Sequence, residues 1–231
     1  MRTRAPPVEP IAPAVSRFGR WLVVRFGTPH VVASWAIVGG GLGGADAVAW
    51  RQVDESQLRP PVDAARWLRA HMSEERLHRT VGLLTSRDLD AWVDATSPAV
   101  GGVTARCVAT VGLGNALRAG DPPGPCARIG TINALVCVDA ALSQSALLEG
   151  LAIATEAKTA AILESGTRSR RTGLPATGSG TDCLVIAAPD GQTPAAPYAG
   201  KHTAIGAAIG AAVFDAVGQG VRAWVRDRGV A

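Results

Sequence analysis

Apolar runs separated by glycine, proline or polar breaks predict most of the regular structure of this chain. Residues 20–27 and 30–40 are rich in Val, Ile and Trp and flank a turn-like Gly-Thr-Pro-His sequence, so we expect two strands joined by a hairpin. A third strand is predicted at residues 46–53. The first part of the domain is therefore expected to be a run of hairpin-linked strands.

Helical spacing of apolar residues predicts helices in the rest of the chain. Residues 60–79 show this spacing, and Ser86 is expected to cap a helix that follows a short strand ending at Thr85. Two longer helices are expected from Ser143 to Glu164, with Ser143 as the N-cap, and from His202 to Arg226. Five residues of the first long helix share one side: Leu147, Leu151, Ala154, Lys158 and Ala161.

Further strands are predicted at residues 104–116, 127–142 and 182–189, and the first two should lie in the interior of a sheet because their apolar runs are nearly continuous. The alternation of these strands with helices predicts an α/β fold that borders on α+β. We expect one layered domain, with a mixed β-sheet covered by helices, over residues 20–231. Residues 1–19 are expected to form a flexible Pro-rich tail.

Composition and charge exclude several classes of protein. Hydrophobic residues make up 47% of the chain and charged residues 18%, which is typical of a compact globular domain. The net charge of +4 is spread as single arginines, with one dense cluster at residues 168–171, so we expect no nucleic-acid partner. Residues 31–45 carry no charged side chain, but they are too few and too glycine-rich to span a bilayer, and we expect no membrane span.

The cysteines indicate a reducing compartment. Cys107, Cys126, Cys137 and Cys183 stand far apart and form no CxxC pair, so no structural zinc site is expected. The first 15 residues contain no apolar segment of the kind found in secretory signals. We therefore expect a cytoplasmic protein.

The glycine-rich run at residues 39–44 formally matches the GxGxxG pattern of dinucleotide-binding proteins. That pattern binds a pyrophosphate only where the glycines open a helix. A strand-like sequence follows here instead, so we expect the glycines to permit a tight turn or the close approach of a ligand.

Polar side chains gather at the ends of the predicted elements, where a rigid sheet can position them for binding. They are Asn115, Thr131, Asn133, Thr181, Asp182, Lys201 and His202, and Glu156 is added to them as a candidate from within the helix expected from Ser143 to Glu164. Each also has a structural interpretation. Asn115 could cap a turn, Asp182 could accept hydrogen bonds from backbone N–H groups, and His202 could be an exposed residue at a helix start. Cys183 is expected to be a buried thiol rather than a nucleophile.

Five segments, in this order, resemble the adenosylcobinamide amidohydrolase family: GLLTSRDL, VATVGLGNALRAGDPP, IGTINALVCVDAALSQSALLEGLAIATEAKTAAI, TGSGTDCLVIAAP and YAGKHTAIGAAIGAAVFDA. The resemblance covers residues 25 to 217. It implies an enzyme of cobalamin salvage that hydrolyses the amide of adenosylcobinamide to adenosylcobyric acid and 1-amino-2-propanol. The partner is then a small-molecule corrinoid, and no cofactor is expected because the substrate itself carries the cobalt.

Amide hydrolysis needs a base for water, donors for the developing oxyanion and an acid for the leaving amine. Glu156 or Asp182 could be the base, and His202 could protonate the amine. The candidate substrate-binding residues are Asn115, Thr131, Asn133, Lys158, Thr181 and Lys201. A nucleophilic route through the hydroxyl of Thr131, Thr181 or Ser179 is the competing mechanism. No metal site is expected, although Glu156, Asp182 and His202 could ligate an ion if the fold brought them together.

The alternative function is a corrinoid-binding protein that has kept the fold and lost the chemistry. Gly39 and Ala207 motivate it, because they stand where the family pattern often has Asn and Glu. The sequence leaves a homo-oligomer open. The catalytic assignment requires that Glu156, Asp182 and His202 meet in one pocket beside the glycine-rich turns.

Overall fold

A computed structural model describes residues 13–59, 61–125, 130–191 and 193–227. The strands in chain order are β1 (Ala14–Phe18), β2 (Trp21–Ser34), β3 (Gly41–Gln52), β4 (Thr80–Thr85), β5 (Val93–Thr96), β6 (Ala105–Val111), β7 (Ala116–Leu117), β8 (Ile132–Val138), β9 (Gly178–Ser179) and β10 (Cys183–Pro189). The helices are α1 (Ala64–Glu74), α2 (Gln144–Glu164) and α3 (Ala204–Asp227).

The central feature is an eight-stranded mixed sheet. Its strand order is β4-β3-β2-β10-β8-β6-β5, with β1 paired to β2. The β3–β4 and β8–β10 pairs are parallel, and the remaining pairs in this sheet are antiparallel. Strands β7 and β9 form a separate small ribbon. The predicted α/β fold with one mixed sheet is confirmed, and β6 and β8 lie inside the sheet as expected.

The helices cover the outside of a coiled sheet. Helices α2 and α3 pack on β5, β6, β8 and β10, while α1 packs on β2, β3 and β4. A separate apolar cluster that includes Phe26, Trp50, Leu83 and Leu135 fills the inner face. Coiling brings the edge strand β4 towards β8, which is four places away in the strand order. The closest link is a hydrogen bond from Asn133 Nδ2 to the Leu84 carbonyl, at 2.7 Å.

The expected hairpin in the first two strands is wrong, because β2 is one continuous strand of 14 residues. Both of its halves pair with β3, with a register shift between Arg25 and His30. Gly27, with φ +76°, lies within this shift. The Gly-Thr-Pro sequence is therefore absorbed as a bulge and does not reverse the chain.

The helix expected after Ser86 is also wrong. A short 3₁₀ turn at Leu89–Ala91 begins at Asp88, whose side chain accepts a hydrogen bond from the backbone N–H of Asp90. Strand β5 follows directly, and its residues alternate between buried and exposed. A side chain two residues further along therefore provides the cap, and the period of two in β5 favours a strand.

The expected flexible tail extends too far into the domain. Residues 14–18 form β1 and pair with Trp21–Arg25 of β2. This part of β2 is free to pair because β10 covers only His30–Ser34. Residues 1–12 lie outside the described residues.

Both long helices are confirmed. The Ser143 side chain caps α2 by accepting a hydrogen bond from the Ala146 N–H at 3.1 Å. Helix α3 is long and apolar enough to cross a membrane by length and composition alone, but 56% of its most apolar window is buried in the domain. Core packing against the sheet and α2 accounts for this composition. Gly41–Gly44 lie in β3 and do not open a helix, which agrees with the rejection of a dinucleotide fingerprint.

Candidate active site

A cavity of about 630 Å³ lies where β4 ends and β8 and β10 begin, and we call it the strand-end cavity. Its polar wall includes Thr85, Ser86, Thr131, Asn133, Thr181 and Asp182. Its apolar wall includes Trp35, Ile37 and Leu58. Two of the motifs quoted above, GTIN at residues 130–133 and GTDC at residues 180–183, thus face one space although they lie about 50 residues apart in sequence.

Hydrogen bonds between the two motifs fix this polar wall. The Thr131 hydroxyl donates to the Thr181 carbonyl at 2.6 Å, and the Thr181 hydroxyl donates to the Gly130 carbonyl at 2.9 Å. The side-chain amide of Asn133 donates to the carbonyl of Leu84 in β4. These three side chains therefore join β4, β8 and the segment before β10. Both threonine hydroxyls thus have a backbone carbonyl as an acceptor, and the Thr131 hydroxyl also lies 3.3 Å from a second acceptor, Asn133 Oδ1.

A buried ion pair lies directly at this wall. Lys158 Nζ is 2.5 Å from Asp182 Oδ2, and the two side chains are only 8% and 10% exposed. Lys158 also donates to the carbonyl of Thr177 at 3.1 Å. A buried charge is stable only when it is paired and hydrogen-bonded, and each member of this pair meets that condition through the other.

The second carboxylate oxygen of Asp182 accepts hydrogen bonds from the chain around it. The donors to Oδ1 are the backbone N–H of Ser179 at 2.9 Å, the hydroxyl of Ser179 at 2.5 Å and the backbone N–H of Ile132 at 3.3 Å. The structural interpretation of Asp182, as an acceptor for backbone N–H groups, is therefore confirmed. This carboxylate holds the glycine-rich loop against the start of β8.

Gly178 makes room for the ion pair. A Cβ atom at this position would lie 2.1 Å from Asp182 Oδ2 and 2.6 Å from Lys158 Nζ. Both distances are far below normal van der Waals contact, so any side chain would displace one of the two charges. The small residues that precede Asp182 are needed for this packing.

Asn115 is buried behind the same wall. Only 6% of the residue is exposed, and its Oδ1 atom has no hydrogen-bond partner within the described ranges. Ideal Cβ atoms on Gly130 and Gly180 would lie 2.8 Å and 3.3 Å from the Asn115 amide. Glycine at both positions lets the amide approach the backbone that lines the cavity.

Glu156, Lys201 and His202 lie elsewhere, and the expected convergence of Glu156, Asp182 and His202 is not found. Glu156 and Lys201 form an ion pair on the surface, with side chains 55% and 69% exposed. His202 is also exposed. None of the three lines the strand-end cavity. The cause is helical phase, since Glu156 and Lys158 are two positions apart on α2 and project about 200° from each other.

Substitutions at the surface cluster test where the chemistry takes place. If hydrolysis occurs in the strand-end cavity, we expect Glu156→Gln and His202→Ala each to keep kcat within about threefold of the wild type, because exposed groups outside the cavity do not contact the reacting atoms. Steady-state assays of both variants measure this. A loss of about 100-fold or more in either variant would instead assign the reaction to the surface cluster.

Cys183 lines the cavity but is not poised as a nucleophile. Burial raises the pKa of its thiol to about 11, against the smaller opposing effect of a hydrogen bond with Ser34. At pH 8 we therefore expect the native thiol to react with iodoacetamide about 100-fold more slowly than in the unfolded chain, measured by mass spectrometry of the Cys183 peptide. Equal alkylation rates in the two states would contradict this expectation.

The same shift makes the stability of the protein depend on pH. Because the folded state holds the Cys183 proton more tightly than the unfolded chain, the contribution of this thiol to stability is present below pH 9 and is lost as the pH rises towards 11.

The positions that motivated a non-catalytic protein do not line the strand-end cavity. Gly39 has φ +70° and borders a separate cavity of about 310 Å³. A Cβ atom there would lie 3.1 Å from the carbonyl oxygen of Thr80. Ala207 is exposed in the first turns of α3. Neither departure from the family pattern removes a side chain from the cavity wall.

A metal site built from protein side chains is not found in the part of the chain that the structure describes. No group of three or more His, Cys, Asp or Glu residues there could hold an ion. In particular, Asp182 is paired with Lys158, whereas Glu156 is paired with Lys201 on the surface. The metal alternative that required Glu156, Asp182 and His202 together therefore has no support.

Sequence reasoning missed several residues of the cavity wall, among them Ser86, Asp54 and Trp35. Ser86 was expected to be a helix cap, but it follows β4 and lines the cavity, so its position after a buried strand was the signal. Trp35 was expected inside a strand, but it lies just beyond β2 and is 49% exposed. An aromatic residue in an apolar run is equally compatible with the inside of a strand and with the rim of a cavity, so nothing in the sequence signalled its position.

Comparisons with known proteins agree with the resemblance. The sequence model of the adenosylcobinamide amidohydrolase family (CbiZ) matches residues 12–229. An adenosylcobinamide amidohydrolase of Halobacterium salinarum is 40% identical over 126 residues, which are 49% of this chain and 50% of that protein. An uncharacterised protein of Methanocaldococcus jannaschii is 38% identical over 90 residues, which are 38% of this chain and 34% of that protein.

These curated relatives are matched over half of their length or less. Among solved structures, the PH0078 protein of Pyrococcus horikoshii aligns over 87% of this chain and 77% of its own, with 11% identity and a TM-score of 0.45. The family match, in contrast, covers almost the whole described chain and includes both motifs of the cavity wall. The chain therefore belongs to the adenosylcobinamide amidohydrolase family.

Proposed function

We propose that this protein hydrolyses the aminopropanol amide of adenosylcobinamide, giving adenosylcobyric acid and 1-amino-2-propanol. The observation that carries the proposal is that two family motifs, 130–133 and 180–183, form one wall of the strand-end cavity. A peripheral amide arm fits such a space, because cavities of this size enclose small ligands or parts of larger ones. The corrinoid is the substrate, and the proposed reaction uses no separate cofactor.

In the direct route, Asp182 is the base that takes a proton from a water molecule. The water oxygen attacks the amide carbon and the carbonyl oxygen becomes an oxyanion. The oxyanion then re-forms the carbonyl, and the C–N bond breaks as the amine accepts from Asp182 the proton that this residue took from water. Lys158 holds the Asp182 side chain in place through the ion pair at 2.5 Å. The amides of Asn115 and Asn133 and the hydroxyls of Thr131 and Thr181 are proposed to position the substrate through the wall that they build.

In the nucleophilic route, a hydroxyl gives its proton to a base and attacks the amide carbon, and the amine leaves with that proton. Water then gives a proton to the same base and hydrolyses the ester, and the base returns the proton to the hydroxyl. Such a hydroxyl needs a base that accepts its hydrogen. Ser179 satisfies this, since its hydroxyl donates to Asp182 Oδ1, whereas Thr131 and Thr181 donate to backbone carbonyls. If an ester forms, we therefore propose that Ser179 carries it, from a position next to Gly180 at the edge of the cavity lining.

Product analysis tests the function. The purified protein is incubated with adenosylcobinamide, and the mixture is analysed for adenosylcobyric acid and 1-amino-2-propanol by liquid chromatography and mass spectrometry. Equal amounts of the two products, growing with time and enzyme concentration, are expected. Corrinoid that binds but stays intact would instead favour the non-catalytic alternative, for which Gly39 and Ala207 are the motivating residues.

We further propose a cytoplasmic location and no nucleic-acid or membrane partner. The three described cysteines, Cys107, Cys137 and Cys183, are free, and burial raises the pKa of Cys137 to about 12 and also raises that of Cys107. Buried, protonated thiols of this kind suit a reducing compartment. A homo-oligomer stays open, and light scattering of the purified protein would measure it.

A further inference from the structure

We propose that Trp35 is a specificity-determining residue of the strand-end cavity, on which one face of the corrin macrocycle packs. This inference rests on the proposed function, because it names the part of that substrate which Trp35 contacts. Trp35 lines the cavity and has 49% of its surface exposed, and its neighbour on the same rim, Ile37, is 45% exposed. Together they form an apolar shelf beside the polar wall.

The indole ring is fixed in place before any ligand binds. Its Nε1–H group donates to the backbone carbonyl of Asp182 at 2.7 Å. The preceding residue is held as well, since the Ser34 hydroxyl donates to the Leu184 carbonyl at 2.8 Å and accepts from the Ala36 N–H at 3.0 Å. A fixed ring loses little conformational freedom on binding, which favours its use as a contact surface.

The size of the cavity decides which part of the substrate meets this ring. A volume of about 630 Å³ is within the range that encloses a drug-sized ligand, and a corrinoid with its carboxamide arms is larger than that. If one arm reaches the polar wall at residues 130–133 and 180–183, the macrocycle stays at the rim. Among the large apolar side chains that line the cavity, Trp35 and Ile37 are the exposed ones.

The ring geometry also suits a flat ligand. Aromatic side chains pack against conjugated, apolar surfaces over a large area, and a polar atom at the ring edge can keep its own hydrogen bond. Here the edge atom is already bonded to Asp182, and this bond lies at the ring edge and so occupies neither face of the indole. The same bond ties the shelf to the residue that pairs with Lys158.

Two substitutions separate ring packing from ring anchoring. Trp35→Ala removes the ring, and Trp35→Phe keeps a ring but removes the N–H donor. We expect Trp35→Ala to raise KM for adenosylcobinamide about tenfold and to raise the dissociation constant of dicyanocobinamide about tenfold as well. The kcat of this variant should stay within about twofold of the wild type. Trp35→Phe should change both by less than about threefold. Phe214→Ala, at a residue on α3 that is 38% exposed and outside the cavity, is the matched control and should change neither constant.

The outcomes separate this inference from the proposed function. Unchanged constants for Trp35→Ala in an active enzyme would overturn the inference and leave the function standing. An effect confined to adenosylcobinamide would also overturn it, because the two corrinoids share the macrocycle and differ in the axial ligands of the cobalt. If the wild type binds dicyanocobinamide but hydrolyses nothing, the hydrolase proposal fails and the dissociation constants still decide the role of Trp35. A wild type that binds no corrinoid would overturn both.

Discussion

Replacing Lys158 with methionine is expected to lower the free energy of unfolding by about 3–5 kcal/mol. The substitution keeps an unbranched side chain that is one atom shorter and apolar, and it leaves the Asp182 carboxylate buried without its cation. The remaining donors to this carboxylate, two backbone N–H groups and the Ser179 hydroxyl, are neutral and all bond to Oδ1. Urea unfolding followed by circular dichroism measures the change.

The matched control is Lys201→Met. Lys201 also pairs with a carboxylate, that of Glu156, but both side chains are more than half exposed. An exposed ion pair is worth about 0–1 kcal/mol, so the same chemical change should cost little there. Equal losses of stability in the two variants would show that burial of the Lys158–Asp182 pair is not the source of the effect.

Replacing Asp182 with asparagine is expected to lower kcat for adenosylcobinamide hydrolysis by about 10²–10⁴-fold, the range typical of a lost general base. Both proposed routes use this carboxylate. Since the variant also leaves Lys158 unpaired, its activity must be measured at a temperature where circular dichroism shows it to be folded. A folded Asp182→Asn variant with near-normal kcat would remove Asp182 from the mechanism.

Ser179→Ala distinguishes the two routes and disturbs the ion pair least. It removes one hydroxyl donor to Asp182 Oδ1 but leaves the Ser179 backbone N–H and Lys158 in place. The nucleophilic route predicts a loss as large as that of Asp182→Asn, whereas the direct route predicts a much smaller one. Mass spectrometry of the wild type during turnover supplies a second readout, because only the nucleophilic route forms a covalent corrinoid ester.

Short-range sequence patterns were sufficient to predict helices and strands that begin at a clear cap or follow a continuous apolar run. The Ser143 cap and the helical spacing that follows it predicted α2, and the apolar run after Asp182 predicted β10. The continuity of β2 could not be predicted, because Gly27-Thr-Pro-His30 can either reverse a chain or form a bulge. Pairing with β3 on both sides of the bulge, which is a tertiary effect, decides between them.

The candidate site was predictable where strand ends defined it. Thr131, Asn133, Thr181 and Asp182 were identified by their position beside buried strands, and all four line one cavity. The surface position of Glu156 was not predicted, because the side of the helix on which it lies was judged only from the residue types around it. The better signal was Lys158, a charged residue on the side of α2 that carries Leu147 and Ala154, where a cation needs a buried partner.

The coiling of the sheet has a consequence for biosynthesis. The hydrogen bond between Leu84 and Asn133 joins residues 49 positions apart, and that between Thr131 and Thr181 joins residues 50 positions apart. Contacts of such long sequence separation form late, because the entropy of closing the intervening loops must be overcome first. A nascent chain on the ribosome thus cannot build the pocket until β10 has emerged.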